Sequence, residues 1–213
     1  MKDHTKIFNE ISELLQKGKA KVIIPAVQKA LDEGAAPADI LENALMAGMN
    51  IIGRKFKSNE IFVPEVLVAA RAMNKATETL KPHLAKAGVN PIGKAIICSV
   101  KGDLHDIGKN LVKMMIEGKG IEVEDLGMDC DAQFIVDKVK ESDAKVLLLS
   151  ALLTTTMAAQ KEVINALKEA GIRDKIKVMV GGAPVTQSFA DEIGADAYTP
   201  DAATAAEVCR SYF

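Results

Sequence analysis

Apolar positions along the first 88 residues recur at helical spacing, and no alternating or continuous β-branched run interrupts them. Helices are predicted near residues 5–16, 19–33, 38–57 and 64–87, broken at Gly18, at Gly34 and at the Ser58–Asn59 turn. Pro25 is out of place in the second: it either kinks that helix or marks its first turn, where proline is favoured. Met46, Met49, Phe56, Phe62, Val66, Ala69 and Met73 fall largely on apolar faces, which reads first as bundle core. Beyond Gly88 the period changes. Residues 94–100, 144–150 and 176–180 are short runs rich in Ile, Val and Leu, the pattern of buried strands, and 197–198 is a shorter one. After the first run, residues 108–118 place Leu111, Val112, Met115 and Ile116 on one face of an amphipathic helix. Gly88 and Pro91 interrupt the helical pattern, so a linker is expected near residues 87–91, with domains at 1–88 and 89–213.

Composition narrows the function classes. A chain of 213 residues suits two modest domains, and 48% hydrophobic residues suffice for two cores. Lys+Arg 27 against Asp+Glu 29 leaves a net charge of −2, with no basic tract or aromatic-rich platform, which argues against a nucleic-acid partner. Cys98, Cys130 and Cys209 form no C-x-x-C pair; buried structural thiols in a reducing compartment are expected. No apolar run approaches the roughly 20 residues that span a bilayer, and Met1-Lys2-Asp3-His4-Thr5 does not open a signal peptide. The expectation is a cytoplasmic protein with no membrane partner.

Candidate chemistry gathers where the first strand ends. Asp103-Leu104-His105-Asp106-Ile107-Gly108 lies on a strand-to-helix loop, at the edge of an open α/β sheet where ligands bind. A lone loop histidine is commonly a helix cap or satisfied by a carbonyl. The sharper reading is a metal ligand, with Asp103 fixing the tautomer of His105 through its second ring nitrogen. An ordinary zinc site wants three or four protein ligands, and His4, His83 and the three cysteines do not supply them. One protein ligand suffices only for a metal whose other positions are already filled, which points to a macrocycle.

Matching strand ends support a ligand slot. The second buried run closes on Ser150-Ala151-Leu152 and then Thr154-Thr155-Thr156, the third on Gly181-Gly182-Ala183-Pro184, and the last on Thr199-Pro200-Asp201-Ala202. Two adjacent glycines let a ligand approach backbone closely, and hydroxyls serve either donors or acceptors. A glycine pair alone reads as a tight turn; with His105 and Ser150 it outlines a long narrow slot.

Asp103-x-His105-x-x-Gly108, Ser150-x-Leu152 and Gly181-Gly182, at these separations, resemble the cobalamin-binding domain of methionine synthase and of the corrinoid proteins of methanol, methylamine and betaine metabolism. The resemblance implies a flavodoxin-like (Rossmann-like) α/β domain with a five-stranded parallel sheet, the ligand sitting at the switch between strands one and three. It implies that His105 replaces the cofactor's benzimidazole as lower axial ligand to cobalt, base-off and His-on. Asp103 then bonds the other imidazole nitrogen, and Thr156 is the hydroxyl partner of that aspartate. Ser150 and Thr154 contact the displaced benzimidazole, and Gly181 and Gly182 line the slot for the nucleotide tail. The implied contact set is Gly102 through Gly108 with Ser150, Leu152, Thr154, Thr156, Gly181, Gly182 and Ala202.

Within the helical part, Gly53–Phe56 and Phe62-Val63-Pro64-Glu65 through Met73 resemble the four-helix cap that precedes the corrinoid domain in the same family. That cap shields the methyl-bearing face of the cofactor, and Phe62, Val66, Ala69 and Met73 are the candidates for the shield. Glu65 is an unusual neighbour for such a face.

The function the resemblance implies is a corrinoid methyl carrier. It accepts a methyl on Co(I) from a substrate:corrinoid methyltransferase and passes it, as methyl-Co(III), to a second methyltransferase with a folate or thiol acceptor. A reductive activator is a further implied partner. A substrate-binding barrel of about 250 residues finds no room here, so no turnover is expected from this chain alone. Three alternatives stay open: a cobalamin-dependent sensor, which needs an output module; a mutase small subunit, which lacks the cap; and a flavodoxin-like module without a corrinoid, which hydroxocobalamin would leave colourless.

Overall fold

The computed structural model describes residues 4–213, which divide into a unit ending at Pro91 and one beginning at Ile92. The first unit is all helical. Helices α1 (Thr5–Gln16) and α2 (Ala20–Asp32) bury Ile7, Ile11 and Leu15, and Ile23, Val27 and Ala30, at spacings of three and four residues. Pro25 sits in the interior of α2 and not in its first turn. The third predicted helix is a composite: α3 (Pro37–Ile40) runs through a π-helical turn at Leu41–Met46 into α4 (Ala47–Lys57). A wider turn of this kind changes which residues face inward, and local periodicity does not announce it. The long helix α5 (Val63–Lys86) closes the unit and packs mainly on α2 and α4.

The buried stripe of α5 is Val66, Ala69, Ala70, Ala72, Met73, Ala76, Leu80 and Leu84. Val66, Ala69 and Met73 therefore belong to the core of this unit in the described conformation, while Phe62, at 63% exposure, keeps its ring free. Glu65 acts locally. Its carboxylate accepts the backbone N–H of Phe62 at 3.1 Å and so caps the first turn of α5.

The second unit alternates strands and helices: β1 (Lys94–Ser99), α6 (Ile107–Glu117), β2 (Glu122–Asp125), α7 (Ala132–Glu141), β3 (Val146–Ser150), α8 (Met157–Glu169), β4 (Lys177–Gly181), α9 (Gln187–Ile193), β5 (Ala197–Tyr198) and α10 (Ala202–Ser211). All pairings are parallel and the order is β2-β1-β3-β4-β5, so the order reverses between β1 and β3. The central strands are continuous apolar runs because helices cover both faces. Ile96, Cys98 and Val100 join Leu147, Leu149, Val178 and Val180 in one core with residues of α7, α8 and α9. On the other side α6 and α10 pack against each other. Of the five strands, β2 is the one that hydrophobic patterning did not locate. It is an edge strand of four residues, Glu122-Val123-Glu124-Asp125, none of them fully buried.

The three interior strands end in register: Ser99 pairs with Ser150, and Ser150 with Gly181. This brings a serine, a serine and a glycine into one row across the carboxyl edge. No helix among the described residues is long and apolar enough to cross a membrane.

Candidate functional site

The loop from Lys101 to Asp106 leaves β1 at the reversal of strand order, and its geometry is set by Asp103. This carboxylate is 1% exposed and accepts four hydrogen bonds. Oδ1 takes the His105 backbone N–H at 3.0 Å and faces His105 Nδ1 at 2.9 Å. Oδ2 takes the Leu152 N–H at 2.6 Å and the Thr156 hydroxyl at 2.7 Å. Burial favours the neutral acid. The bonds from Thr156, Leu152 and His105 outweigh it and hold the Asp103 carboxyl at about 2.

An ionised carboxylate can only accept, so Nδ1 of His105 carries a proton and, in the neutral ring, Nε2 keeps its lone pair. The ring is half exposed. Ser99, fully buried at the end of β1, donates its hydroxyl to the His105 carbonyl at 2.6 Å and fixes the backbone as well. Around the imidazole the loops hold apolar side chains that the fold leaves uncovered. Leu104 is 70% and Ile107 73% exposed, and Met128, Leu152 and Leu153 are also exposed. Among the described residues no group of three or more His, Cys, Asp or Glu side chains forms a metal cage. The donor set is thus one oriented imidazole nitrogen beside an exposed apolar surface, which fits a metal held in a flat organic ring and does not fit a bare ion.

The other predicted positions divide by environment. Ser150 is half-buried in the row of strand ends and Thr154 is exposed, while Thr156 is buried and committed to Asp103 and the Leu153 carbonyl. Gly102, at φ +80°, and Gly108 leave room along the loop, and Asp106 sits at the N-cap position of α6. Gly182 has φ +132°, and a Cβ there would lie 1.8 Å from the Ala151 carbonyl oxygen. Its glycine is demanded by the neighbouring backbone as well as by any ligand. Gly181 is looser, with the nearest atom at 3.6 Å. Ala202 is buried in the first turn of α10, where Asp201 caps the Thr204 N–H, so its side chain is core and offers a ligand little surface.

Sequence reasoning passed over several groups that shape this region. Lys109, directly after the Gly108 of the motif, is 3% exposed and buries its ammonium against both oxygens of Asp125 at 2.6 Å. Gln160, on α8, donates Nε2 to the carbonyls of Leu149 and Gly181, and its Oε1 is buried with no partner in the protein. A polar position inside an apolar helix face was the available signal. Ser99 and the loop after β2 gave none, because their partners are remote in sequence.

The depressed Asp103 pKa carries a stability consequence. A group lowered from about 3.9 to about 2 stabilises the fold above pH 4 by roughly 2 kcal/mol, and this is lost as the pH falls through 2. Asp103→Asn is expected to flatten the acid-unfolding curve of the apoprotein between pH 4 and 2, measured by circular dichroism. Parallel curves for the two proteins would show that Asp103 titrates normally.

Models of the B12 binding domain match residues 93–209, and a second B12 binding domain model matches residues 7–81. Dimethylamine corrinoid protein 1 of Methanosarcina mazei is 42% identical over 206 residues, covering 96% of this chain and 95% of that protein. Among solved structures, a cobalamin-binding protein of Desulfitobacterium hafniense matches with a TM-score of 0.81 at 33% identity, over 97% of this chain and 98% of that one. The methanol:cobalamin methyltransferase complex MtaBC of Methanosarcina barkeri contains a chain matching with a TM-score of 0.85 at 34% identity, over 97% of this chain and 79% of that one.

Proposed function

The chain belongs to the B12-binding corrinoid proteins of methyltransferase systems, and on that premise we propose how its residues carry a methyl group. The protein is a corrinoid methyl carrier of the kind found with substrate-specific methyltransferases. The observation that carries the residue assignment is the Nε2 of His105, left free and aimed away from Asp103 at the reversal of strand order. When bound, a corrinoid supplies a cobalt that takes a methyl group as a nucleophile in its Co(I) state and gives it up to an acceptor.

His105 would hold the corrinoid's cobalt through Nε2. Asp103 faces Nδ1 and holds the ring's orientation, with Thr156 and the Leu152 N–H holding Asp103 in turn. Leu104, Ile107 and Leu152 would offer the macrocycle an apolar seat. Ser150 and Thr154 offer hydroxyls to the displaced base, and Gly181 and Gly182 border the slot for its nucleotide tail. In the helical unit Phe62 keeps an exposed ring and is the candidate shield, while Val66, Ala69 and Met73 are buried. A second methyltransferase with a folate or thiol acceptor and a reductive activator complete the system. The three free thiols fit a cytoplasmic setting. The regulatory alternative gains no support from these relatives.

The test is a matter of missing pockets. The purified holoprotein, given a methylated amine or methanol and a thiol, is expected to show no turnover above background. After chemical reduction of the corrinoid to Co(I), addition of a cognate methyltransferase is expected to methylate it once per chain. Steady multiple turnover by the holoprotein alone would overturn the carrier reading.

A further inference from the structure

The loop after β2 reaches back into the His105 loop chiefly through Asp129, with an exposed Lys101–Asp131 ion pair at 3.7 Å beside it. Asp129 donates its backbone N–H to the Asp103 carbonyl at 3.0 Å, and its Oδ1 accepts the Gly102 N–H at 2.7 Å. One residue thus holds both ends of the Gly102–Asp103 pair. To do so it takes φ +53°, a left-handed conformation that residues with a Cβ seldom adopt, and Gly102 opposite sits at φ +80°. Such a conformation persists only where its surroundings enforce it.

Those surroundings are anchored outside the Gly102–Asp103 pair. Asp125 is locked by the buried Lys109 ammonium and accepts the Gly127 N–H at 2.9 Å. The Gly127 carbonyl accepts the Ser99 N–H at 3.0 Å, and the Leu126 N–H bonds the Ile97 carbonyl at 2.9 Å. Asp129 therefore projects from a base anchored to β1 and α6. The remaining contacts of Asp103 come from Val100, from His105 itself and from the segment after β3. Without Asp129, the Gly102–Asp103 backbone has no tie to the β2 side.

We propose that Asp129 is a positioning residue for the axial histidine: by clamping Gly102 and Asp103 it fixes the carboxylate that orients His105. The proposal rests on the corrinoid reading above, and two substitutions separate its parts. Asp129→Gly adopts the left-handed backbone without strain and removes the carboxylate. Asp129→Asn tolerates that backbone and keeps an oxygen acceptor. Neither change is expected to lower the melting temperature of the apoprotein noticeably.

Two readouts apply. In the apoprotein, amide hydrogen exchange at Gly102, followed by nuclear magnetic resonance, is expected to quicken about tenfold in Asp129→Gly and to stay near wild type in Asp129→Asn. In the hydroxocobalamin-loaded and reduced Co(II) protein, electron paramagnetic resonance is expected to show a fraction without axial nitrogen in Asp129→Gly only. Wild-type exchange and full histidine coordination in Asp129→Gly would overturn the proposal, as would equal damage in the two variants, since the hydrogen bond survives in one. A wild-type protein without histidine nitrogen would instead defeat the assignment of His105 as the cobalt ligand, and the exchange measurement on apoprotein would still decide whether Asp129 holds Gly102.

Discussion

His105→Ala is expected to lose the axial nitrogen of the Co(II) protein entirely and to release cobamide on desalting. Wild type should retain the cofactor and show one nitrogen that responds to isotope-labelled histidine. The expected loss exceeds the roughly 10- to 100-fold cost of removing a residue that only supports a ligand, because the donor atom itself disappears. No other histidine can substitute by a small shift. His4 precedes α1 and His83 lies in the last turn of α5, both in the other unit. Free imidazole should restore the axial nitrogen signal in the variant, since Asp103 and the apolar seat remain. A labelled-histidine signal that persists in His105→Ala would refute the assignment.

The second large effect concerns a residue whose importance does not depend on any cofactor. Gly182→Ala would place a methyl 1.8 Å from the Ala151 carbonyl oxygen and 2.7 Å from its carbon, in a backbone region that alanine avoids. Neither obstacle is the end of a flexible side chain. The Ala151 N–H bonds the Gly181 carbonyl at 3.1 Å, so separating the two segments breaks the ladder where β3 and β4 end. A cost of at least about 3 kcal/mol is expected, out of the 5–15 kcal/mol typical of a whole domain. For a unit of this size that is a melting temperature lower by roughly 10 °C. Gly181→Ala is the control: its methyl would meet only the Thr199 carbonyl oxygen at 3.6 Å, an ordinary contact. Equal melting temperatures for Gly182→Ala and wild type would show that the loop shifts freely.

What could be read in the chain beforehand follows the range of the interactions involved. The β1 run, the motif and the α6 stripe are local, and Leu111, Met115 and Ile116 are buried as their spacing requires. Asp103 and His105 stand two residues apart, so their contact was legible. The bond from the Thr156 hydroxyl to Asp103 spans 53 residues and was available only through family resemblance. Strand β2 escaped because an edge strand with Glu122, Glu124 and Asp125 lacks the hydrophobic run that marks a central one. The π-helical turn at Leu41–Met46 escaped because its residues still read as helix. The shield candidates on α5 show the converse limit. Spacing marks Val66, Ala69 and Met73 as one apolar stripe, and the same pattern serves a core and a ligand-facing surface alike.

The two outer strands of the sheet have a consequence for how such a carrier meets other proteins. An open edge is a template on which any extended segment can pair through its backbone, the common route to promiscuous association and fibrils. Here one edge is four residues bearing three carboxylates, with Lys94 paired to Glu124 alongside, and the other is the two-residue β5. Both are short for pairing with a visiting strand. A methyltransferase that docks here would then have to recognise side chains and shape at the surface. Brief, reversible encounters suit a shuttle, and edges too short to zip onto a visitor favour release over capture.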